Sequence, residues 1–376
     1  MLRVVRVESK AQKMSFIKFP FRLYEKCRNW VPWFTGDMLT YMDRNKHPFY
    51  EHSDADFFIV KEGSEVVGRI AVLENRRFNE YHGVRQASFY FLDAVNDRRV
   101  FEKLMEVAVD WAGRRGLDTL VGPKGLGAFD GYGILVEGFE YRQMMTMMNY
   151  NYAYYGEHLE TLGFEKEVDF LSFHVKAEEF QLPWTLYRLA ERIKERFHLR
   201  VVSLKSRREV HYWALRLGHS YNETFTENWE FYPLTDREIE FLADNLKWVV
   251  VPELMKLIVH EGSDEVMGFL LGFPDISPAL QRAGGHLYPW NVVDMLWSLR
   301  RARTISLNGA GVHPRYQKRG ANVLLYTEME KTVRRRKFLN AELTQVAETA
   351  TDMQKDLRRL GVLPYKRHRV YRYTFA

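Results

Sequence analysis

The chain has 376 residues, of which 46% are hydrophobic, 28% charged and 15% aromatic. That length exceeds the usual single domain and the composition is ordinary for a folded protein, so two domains are expected. The lone Cys27 excludes an internal disulfide and points to a reducing compartment. With no apolar run of about eighteen residues, no membrane-spanning helix is expected.

Residues 1–30 hold eight Lys or Arg, but apolar groups are interspersed and no signal-peptide core follows. A cytoplasmic protein is expected. Net charge is only +6, yet it is concentrated: residues 300–337 carry eleven basic groups against two acidic, and residues 355–372 seven against one. Such a field suits an anionic partner: a phosphorylated cofactor, a nucleic acid or an anionic membrane surface.

In chain order, Val4, Val5 and Val7 mark an opening strand. Asp56–Val60 and Glu65–Leu73 form a strand pair around the turn Lys61-Glu-Gly-Ser64. Ala87–Leu92 is a further strand. Arg99–Arg115 has apolar residues at helical spacing and ends at Gly116. A short strand Leu117–Val121, a helix Tyr154–Leu162 and a strand Glu167–Val175 complete a first half, residues 1–180. A helix within 181–197 bridges to a second half, residues 198–376. There the pattern predicts a strand Leu199–Leu204, helices Arg207–Leu217 and Asp236–Leu246, and strands Leu254–Glu261 and Glu265–Phe273. Strand Thr304–Val312, helix Ala321–Arg335, strand Leu339–Val346, helix Asp352–Leu360 and strand Tyr365–Phe375 follow.

The halves echo one another. Val60-Lys-Glu-Gly-Ser-Glu-Val-Val-Gly68 resembles Val259-His-Glu-Gly-Ser-Asp-Glu-Val-Met-Gly268, and His158-Leu-Glu-Thr-Leu-Gly-Phe164 resembles Leu357-Arg-Arg-Leu-Gly361. The offset is about 200 residues both times, which predicts two copies of one α/β module.

The richest segment is Ile305–Tyr326. A strand ends at Val312, a basic turn follows, and a helix opens near Ala321. A strand feeding a glycine-containing turn into a helix gathers unpaired backbone N–H groups, a ready site for phosphate. Gln317-Lys-Arg-Gly320-Ala-Asn322 resembles the acyl-CoA loop of the GNAT acyltransferase superfamily, in its tandem two-domain form. The resemblance implies an α/β (α+β) fold of two GNAT-like copies, each a mixed central sheet flanked by helices. It implies acetyl-CoA or another acyl-CoA as cosubstrate, held by Gln317, Lys318, Arg319, Gly320, Ala321 and Asn322, with Val312 ending the strand that bonds the pantetheine arm. Asn322 stands where the family usually has Gly or Ala. The whole chain also resembles a group of bacterial and archaeal proteins with an N-acetyltransferase-like domain, through stretches such as Phe16–Tyr24, Asn45–Phe49 and Gly122-Pro-Lys124.

In the first half the corresponding stretch is Asp93-Ala-Val-Asn-Asp-Arg-Arg-Val100, with no glycine and two aspartates that repel a pyrophosphate. This copy is expected not to bind CoA.

Acyl transfer needs a base for the attacking amine and a proton donor for the leaving thiolate. Glu348, near the end of strand Leu339–Val346, is the candidate base. Tyr365 is the candidate thiol proton donor by the same resemblance. His313 in a His-Pro turn is positional. No metal-binding spacing occurs, so no metal is implied. The glycine-rich loop Gly122–Gly133 and the Met/Tyr-rich stretch Met144–Tyr155 are candidate walls of an acceptor pocket, extended by Leu287-Tyr-Pro-Trp290 and Trp297. The stretch Met144–Tyr155 reads equally as an inter-domain interface. The expected partner is a small-molecule or peptide amine. An aminoacyl-tRNA-dependent transferase, drawing on the basic stretches, and a non-catalytic CoA- or ligand-binding protein remain alternatives.

Overall fold

The computed structural model describes residues 1–375 apart from 128–129, 146–147, 225–228, 318 and 360. The elements are β1 (Leu2–Arg6), α1 (Lys10–Leu23), α2 (Thr35–Tyr41), β2 (Asp54–Glu62), β3 (Glu65–Glu74), α3 (Arg76–His82), β4 (Gln86–Ala94), α4 (Arg98–Gly113), β5 (Thr119–Gly122), β6 (Ile134–Glu137), α5 (Tyr154–Thr161) and β7 (Glu165–Lys176). There follow α6 (Trp184–Phe197), β8 (Leu199–Ser203), α7 (Arg207–Thr224), α8 (Asp236–Val249), β9 (Met255–His260), β10 (Val266–Pro274), α9 (Ser277–Ala283) and α10 (Pro289–Arg301). The chain ends with β11 (Thr304–Val312), α11 (Asn322–Arg335), β12 (Asn340–Ala347), α12 (Thr351–Arg359) and β13 (Pro364–Thr374). The strands and helices expected from the pattern are present, most within a few residues of their expected ends. Helix α7 runs on to Thr224, past the expected Leu217. Helices α1, α2, α3, α9 and α10 and strand β6 are additional.

Two compact units result. The first gathers residues 1–172, 276–298 and 345–376; the second gathers 173–275 and 299–344. These boundaries differ from the sequence halves 1–180 and 198–376. Residues 276–298 and the C-terminal 345–376 pack with the N-terminal half of the chain.

In the first unit β1 to β5 lie in order, with β13 antiparallel to β5 and β6 on β13. The β4–β5 pair is parallel, so the sheet is mixed. Phe101, Leu104 and Trp111 of α4 pack with Ile70 and Phe89 in one apolar cluster. Phe16 and Ile17 of α1 join Phe57, Ile59 and Phe91 in another. Helix α1 starts at a capping box, where Ser9 Oγ accepts from Gln12 N and Gln12 Oε1 accepts from Ser9 N. The second unit runs β12, β11, β10, β9, β8, with β11–β12 parallel. Ile193 of α6 and Leu324 and Leu325 of α11 pack with Ile258, Leu270 and Ile305.

The duplication is visible in a shared irregularity. Pairing of β3 with β4 steps from Arg69↔Asp93 to Ala71↔Tyr90, so β4 carries one extra residue. Pairing of β10 with β11 steps from Leu270↔Ala310 to Gly272↔Leu307, so β11 also carries one extra residue. Each bulge holds a left-handed residue, Phe91 (φ 47°) and Gly309 (φ 82°). Glycine adopts that backbone without strain, whereas Phe91 is held there by its ring packing on Phe16, Trp33 and Tyr41.

Strand β13 is secured by one carboxylate. Asp169 on β7 is fully buried and accepts from Arg369 Nε at 2.8 Å and Arg367 at 3.1 Å, with Lys166 Nζ at 3.4 Å. Burial pushes its pKa up, but the two guanidinium hydrogen bonds outweigh that, and it stays below the ordinary aspartate value. Removing one partner of a buried ion pair leaves charge uncompensated. Asp169→Asn is therefore expected to lower unfolding free energy by about 3–5 kcal/mol in urea titrations. Lys103→Ala, which breaks the exposed pair with Glu106, should change it by less than about 1 kcal/mol.

Candidate functional site

Both units open a gap at the same place in the sheet. In the second unit the parallel register of β11 and β12 stops at Leu307↔Leu343, while β11 stays paired with β10 out to Gly268↔Val312. Beyond Leu307, β11 therefore turns an edge of peptide groups away from β10 without a paired strand among the described residues. His313 N donates to Met267 O at 2.8 Å, which anchors the strand end on its β10 side.

The turn after β11 is built by its own side chains. His313 Nδ1 accepts from Arg315 N at 3.1 Å, opening a 3-10 turn over Pro314–Tyr316. Tyr316 is buried with its ring 5.7 Å from Phe197. Gln317 Nε2 donates to Val312 O at 3.0 Å and closes the turn onto the strand. Gly320 has φ 81°, and an added Cβ would lie 3.1 Å from Ile193 Cδ1. Alanine at 321 precedes α11, so no side chain caps that helix. Arg315 and Arg319, on either side of residue 318 before this helix start, are exposed. Lys318 lies outside the described residues. Asn322 is the first helical residue.

The first unit shows the same geometry closed by the protein itself. The β4–β5 register stops at Ser88↔Val121, while β4 stays paired with β3 out to Gly68↔Ala94. Lys124 N then donates to Phe89 O at 2.9 Å and seals the β4 edge with the Gly122–Gly133 loop. Asn149 Nδ2 donates to Gly133 O at 2.7 Å, and Asn151 Oδ1 accepts from Leu135 N at 2.7 Å. At the start of α4, Asp97 accepts from Arg99 N at 2.9 Å. The anion position of this helix is thus filled by the chain's own carboxylate.

What remains is a cavity of about 50 Å³ lined by Phe21, Trp33, Arg69, Asp93 and Asn149, among others. That is room for a few waters at most, a water needing about 10–15 Å³ of such space. Its charged floor is fully satisfied. Arg69 Nε donates to Asp93 Oδ2 at 2.7 Å, Tyr24 OH donates to Asp93 Oδ1 at 2.8 Å, and Tyr155 OH lies 3.0 Å from Tyr24 OH. Burial pushes Asp93 up against the opposing pull of Arg69, and pushes Tyr24 and Tyr155 well above the usual phenol. Nothing in the local spacing of these residues marked this network, because its partners lie up to 131 positions apart.

The expected acceptor walls take up different roles. Met144, Met145 and Met148 are buried core, and Met147 lies outside the described residues. Tyr150 donates to Phe139 O, Tyr152 to Leu23 O and Tyr154 to Ala94 O, so these hydroxyls serve as internal braces.

Glu348 and Tyr365 both belong to the first unit, and the loop Val312–Asn322 to the second. Glu348 Oε2 accepts from Lys166 Nζ at 2.7 Å and Oε1 from Asp169 N at 3.0 Å, while its own N donates to Asp169 O. Its carboxylate is part of the lock around Asp169. Tyr365 is half-buried, with Tyr141 edge-on at 4.9 Å and Lys366 Nζ over its ring at 4.8 Å.

Among the described residues no cluster of three or more metal-binding side chains occurs, and no helix is long and apolar enough to cross a membrane. No family model matches the chain. Protein YghO of Escherichia coli K12 is 28% identical over 368 residues, covering 95% of this chain and 91% of that protein. The bacterial ceramide synthase of Caulobacter vibrioides is 27% identical over 380 residues, covering 98% and 97%. Among solved structures, a tandem GNAT protein from the clavulanic acid biosynthesis pathway superposes with a TM-score of 0.54 at 12% identity, covering 100% of this chain and 98% of that one. A GCN5-related N-acetyltransferase from Sphaerobacter thermophilus gives 0.53 at 14% identity, covering 99% and 95%.

One brace titrates in an accessible range. His368 on β13 is buried, and its Nε2 donates to Asn149 O at 3.0 Å. Burial pushes its pKa down to about 4, opposed by that hydrogen bond and aided by Lys366. The unfolded histidine titrates near 6.5, so between about 6.5 and 4 the unfolded chain binds the extra proton. Stability is expected to fall as pH drops through that window, by a few kcal/mol in all. Urea midpoints at pH 7 and pH 5 should separate for the native chain and converge for His368→Gln.

Proposed function

We propose that this chain, which has the tandem GNAT fold, transfers an acyl group from CoA to an amine. CoA binding is assigned to the second copy. The observation that carries this reading is the contrast at the two helix starts: Ala321 leaves α11 uncapped, while Asp97 occupies the start of α4. The unpaired edge of β11 after Leu307 supports it, because peptide groups there are disposed to hydrogen-bond an extended pantetheine arm. In this reading Val312 ends that edge, and Gln317, Lys318, Arg319, Gly320, Ala321 and Asn322 surround the pyrophosphate.

The amine nitrogen attacks the thioester carbonyl carbon, the C–S bond breaks, and an amide forms. Glu348 is proposed to take the amine proton, and Tyr365 to protonate the departing thiolate. The Caulobacter vibrioides relative, named as a ceramide synthase, directs the acceptor search to long-chain amino alcohols, since a ceramide is the fatty amide of such a base. The length of the acyl donor is then expected to exceed acetyl.

Native mass spectrometry and titration with acetyl-CoA and palmitoyl-CoA test donor binding, and a panel of small and long-chain amines tests transfer. CoA binding without transfer to any amine would favour a ligand-binding role. Failure to bind either thioester would remove the proposal. Arg319→Glu places an acid beside the α11 start, at an exposed position. It should weaken CoA binding roughly tenfold, about 1.4 kcal/mol, with an unchanged melting temperature.

Glu348→Gln separates chemistry from structure. As the base, Glu348 should cost about a hundredfold or more in kcat with CoA affinity unchanged. A loss of less than about threefold, accompanied by a lowered melting temperature, would assign it to the Asp169 lock alone.

A further inference from the structure

Among the described residues sixteen large apolar side chains are exposed, and seven of them fall within residues 287–297. They sit on α10 and the turn before it. At about 100° per residue, Trp290, Val293, Leu296, Trp297 and Arg300 share an arc of about 120°, with Arg301 just beyond it. Met295, which is buried, lies on the opposite side of α10. Trp290 and Val293 are each 66% exposed, Trp297 51% and Leu296 45%. The broad apolar face of this helix therefore points to solvent, the reverse of an ordinary surface helix.

The surroundings narrow the occupant. Tyr288 stacks on Trp290 at 4.8 Å, extending the face with a second aromatic ring. The acid on the helix, Asp294, is neutralised by a two-pronged pair with Arg282 at 2.9 Å. Arg300 and Arg301 close the last turn. Gln281 Nε2 donates to Arg28 O and Trp30 O, which fixes the segment bearing exposed Lys26 and Arg28 against α9, with Glu25 the acid there. Tryptophan and tyrosine on an apolar face, with arginines at its rim, match a helix lying in the interface of a bilayer.

We propose that α10 docks this protein on an anionic lipid bilayer, lying in the plane of the headgroups with Trp290, Val293, Leu296 and Trp297 in the acyl boundary. The surface stands independently of the acyl-transfer reading, because its test needs no turnover. The full chain is mixed with vesicles of phosphatidylcholine alone, or of phosphatidylcholine and phosphatidylglycerol in equal parts, and separated by flotation. The protein should float with the anionic vesicles, and less with phosphatidylcholine alone. The double variant Trp290→Ser with Trp297→Ser should lower the bound fraction at least about tenfold, and Arg300→Glu with Arg301→Glu should abolish the preference for anionic vesicles. Circular dichroism and melting temperature check that each variant is folded. A native chain that stays unbound to both vesicles overturns the proposal. So does a dimer that Trp290→Ser with Trp297→Ser dissociates, because the face would then belong to a second copy.

Discussion

The buried carboxylate of Asp169 is the constraint on which the first unit depends. It sits on β7, near the middle of the chain, and holds two arginines of β13, from its last dozen residues. Those arginines in turn commit β13 to lie beside β5 and to carry β6. A buried anion with fewer partners would be unstable, so the carboxylate, the guanidinium groups and Lys166 require one another. Glu348 joins by accepting from Asp169 N and Lys166, which brings the chain after β12 into the same lock. The unit is thereby completed by residues 179 to 200 positions downstream of Asp169.

The two copies share a bulge and a strand gap, and they resolve the gap in opposite ways. A strand leaving its parallel neighbour exposes peptide groups, and buried ones must find partners. In the first unit Lys124 N of the Gly122–Gly133 loop donates to Phe89 O, Tyr155 OH accepts from Ala94 N and Tyr154 OH donates to Ala94 O, and Arg69 with Asp93 forms a satisfied floor. This filling uses the space a ligand arm would need. In the second unit the turn 313–317 is braced by His313, by Gln317 and by Tyr316 against Phe197. A helix start without a capping side chain remains, and that is a stability cost a binding site can carry.

Local pattern carried most of the elements, because burial on one face of a strand or helix leaves period two or 3.6 in the sequence. Strand Thr304–Val312 matches its expected limits residue for residue. Helix α1 was hidden by Pro20 in its interior, although Ser9 and Gln12 spell a capping box. The partner of β13 was not legible: Tyr365–Phe375 alternates as a strand, but pairing with β5 is chosen by Asp169, far away in sequence. The same distance concealed the engagement of Glu348. Its position near a strand end suggested chemistry, and only the fold shows Lys166 and the Asp169 peptide on its two oxygens. The repeat, by contrast, was readable because both copies place Glu-Gly-Ser in the turn between two paired strands, at Glu62-Gly-Ser64 and Glu261-Gly-Ser263, although the second turn is longer.

Helix α10 shows why composition alone misleads about burial. Its tryptophans, valines and leucines are those of a core helix, and Leu287–Trp290 with Trp297 suggested a pocket wall. The fold instead buries Met295 and leaves the aromatic face outward. Exposing that much apolar surface opposes folding in water, at about 25 cal/mol for each Å² left uncovered. Neither the Asp294–Arg282 pair nor the stacked Tyr288 and Trp290 recovers that term, since both lie at the surface. A face kept against this gradient, with arginines at its end, has its natural complement in a phase that is apolar inside and negatively charged at its boundary.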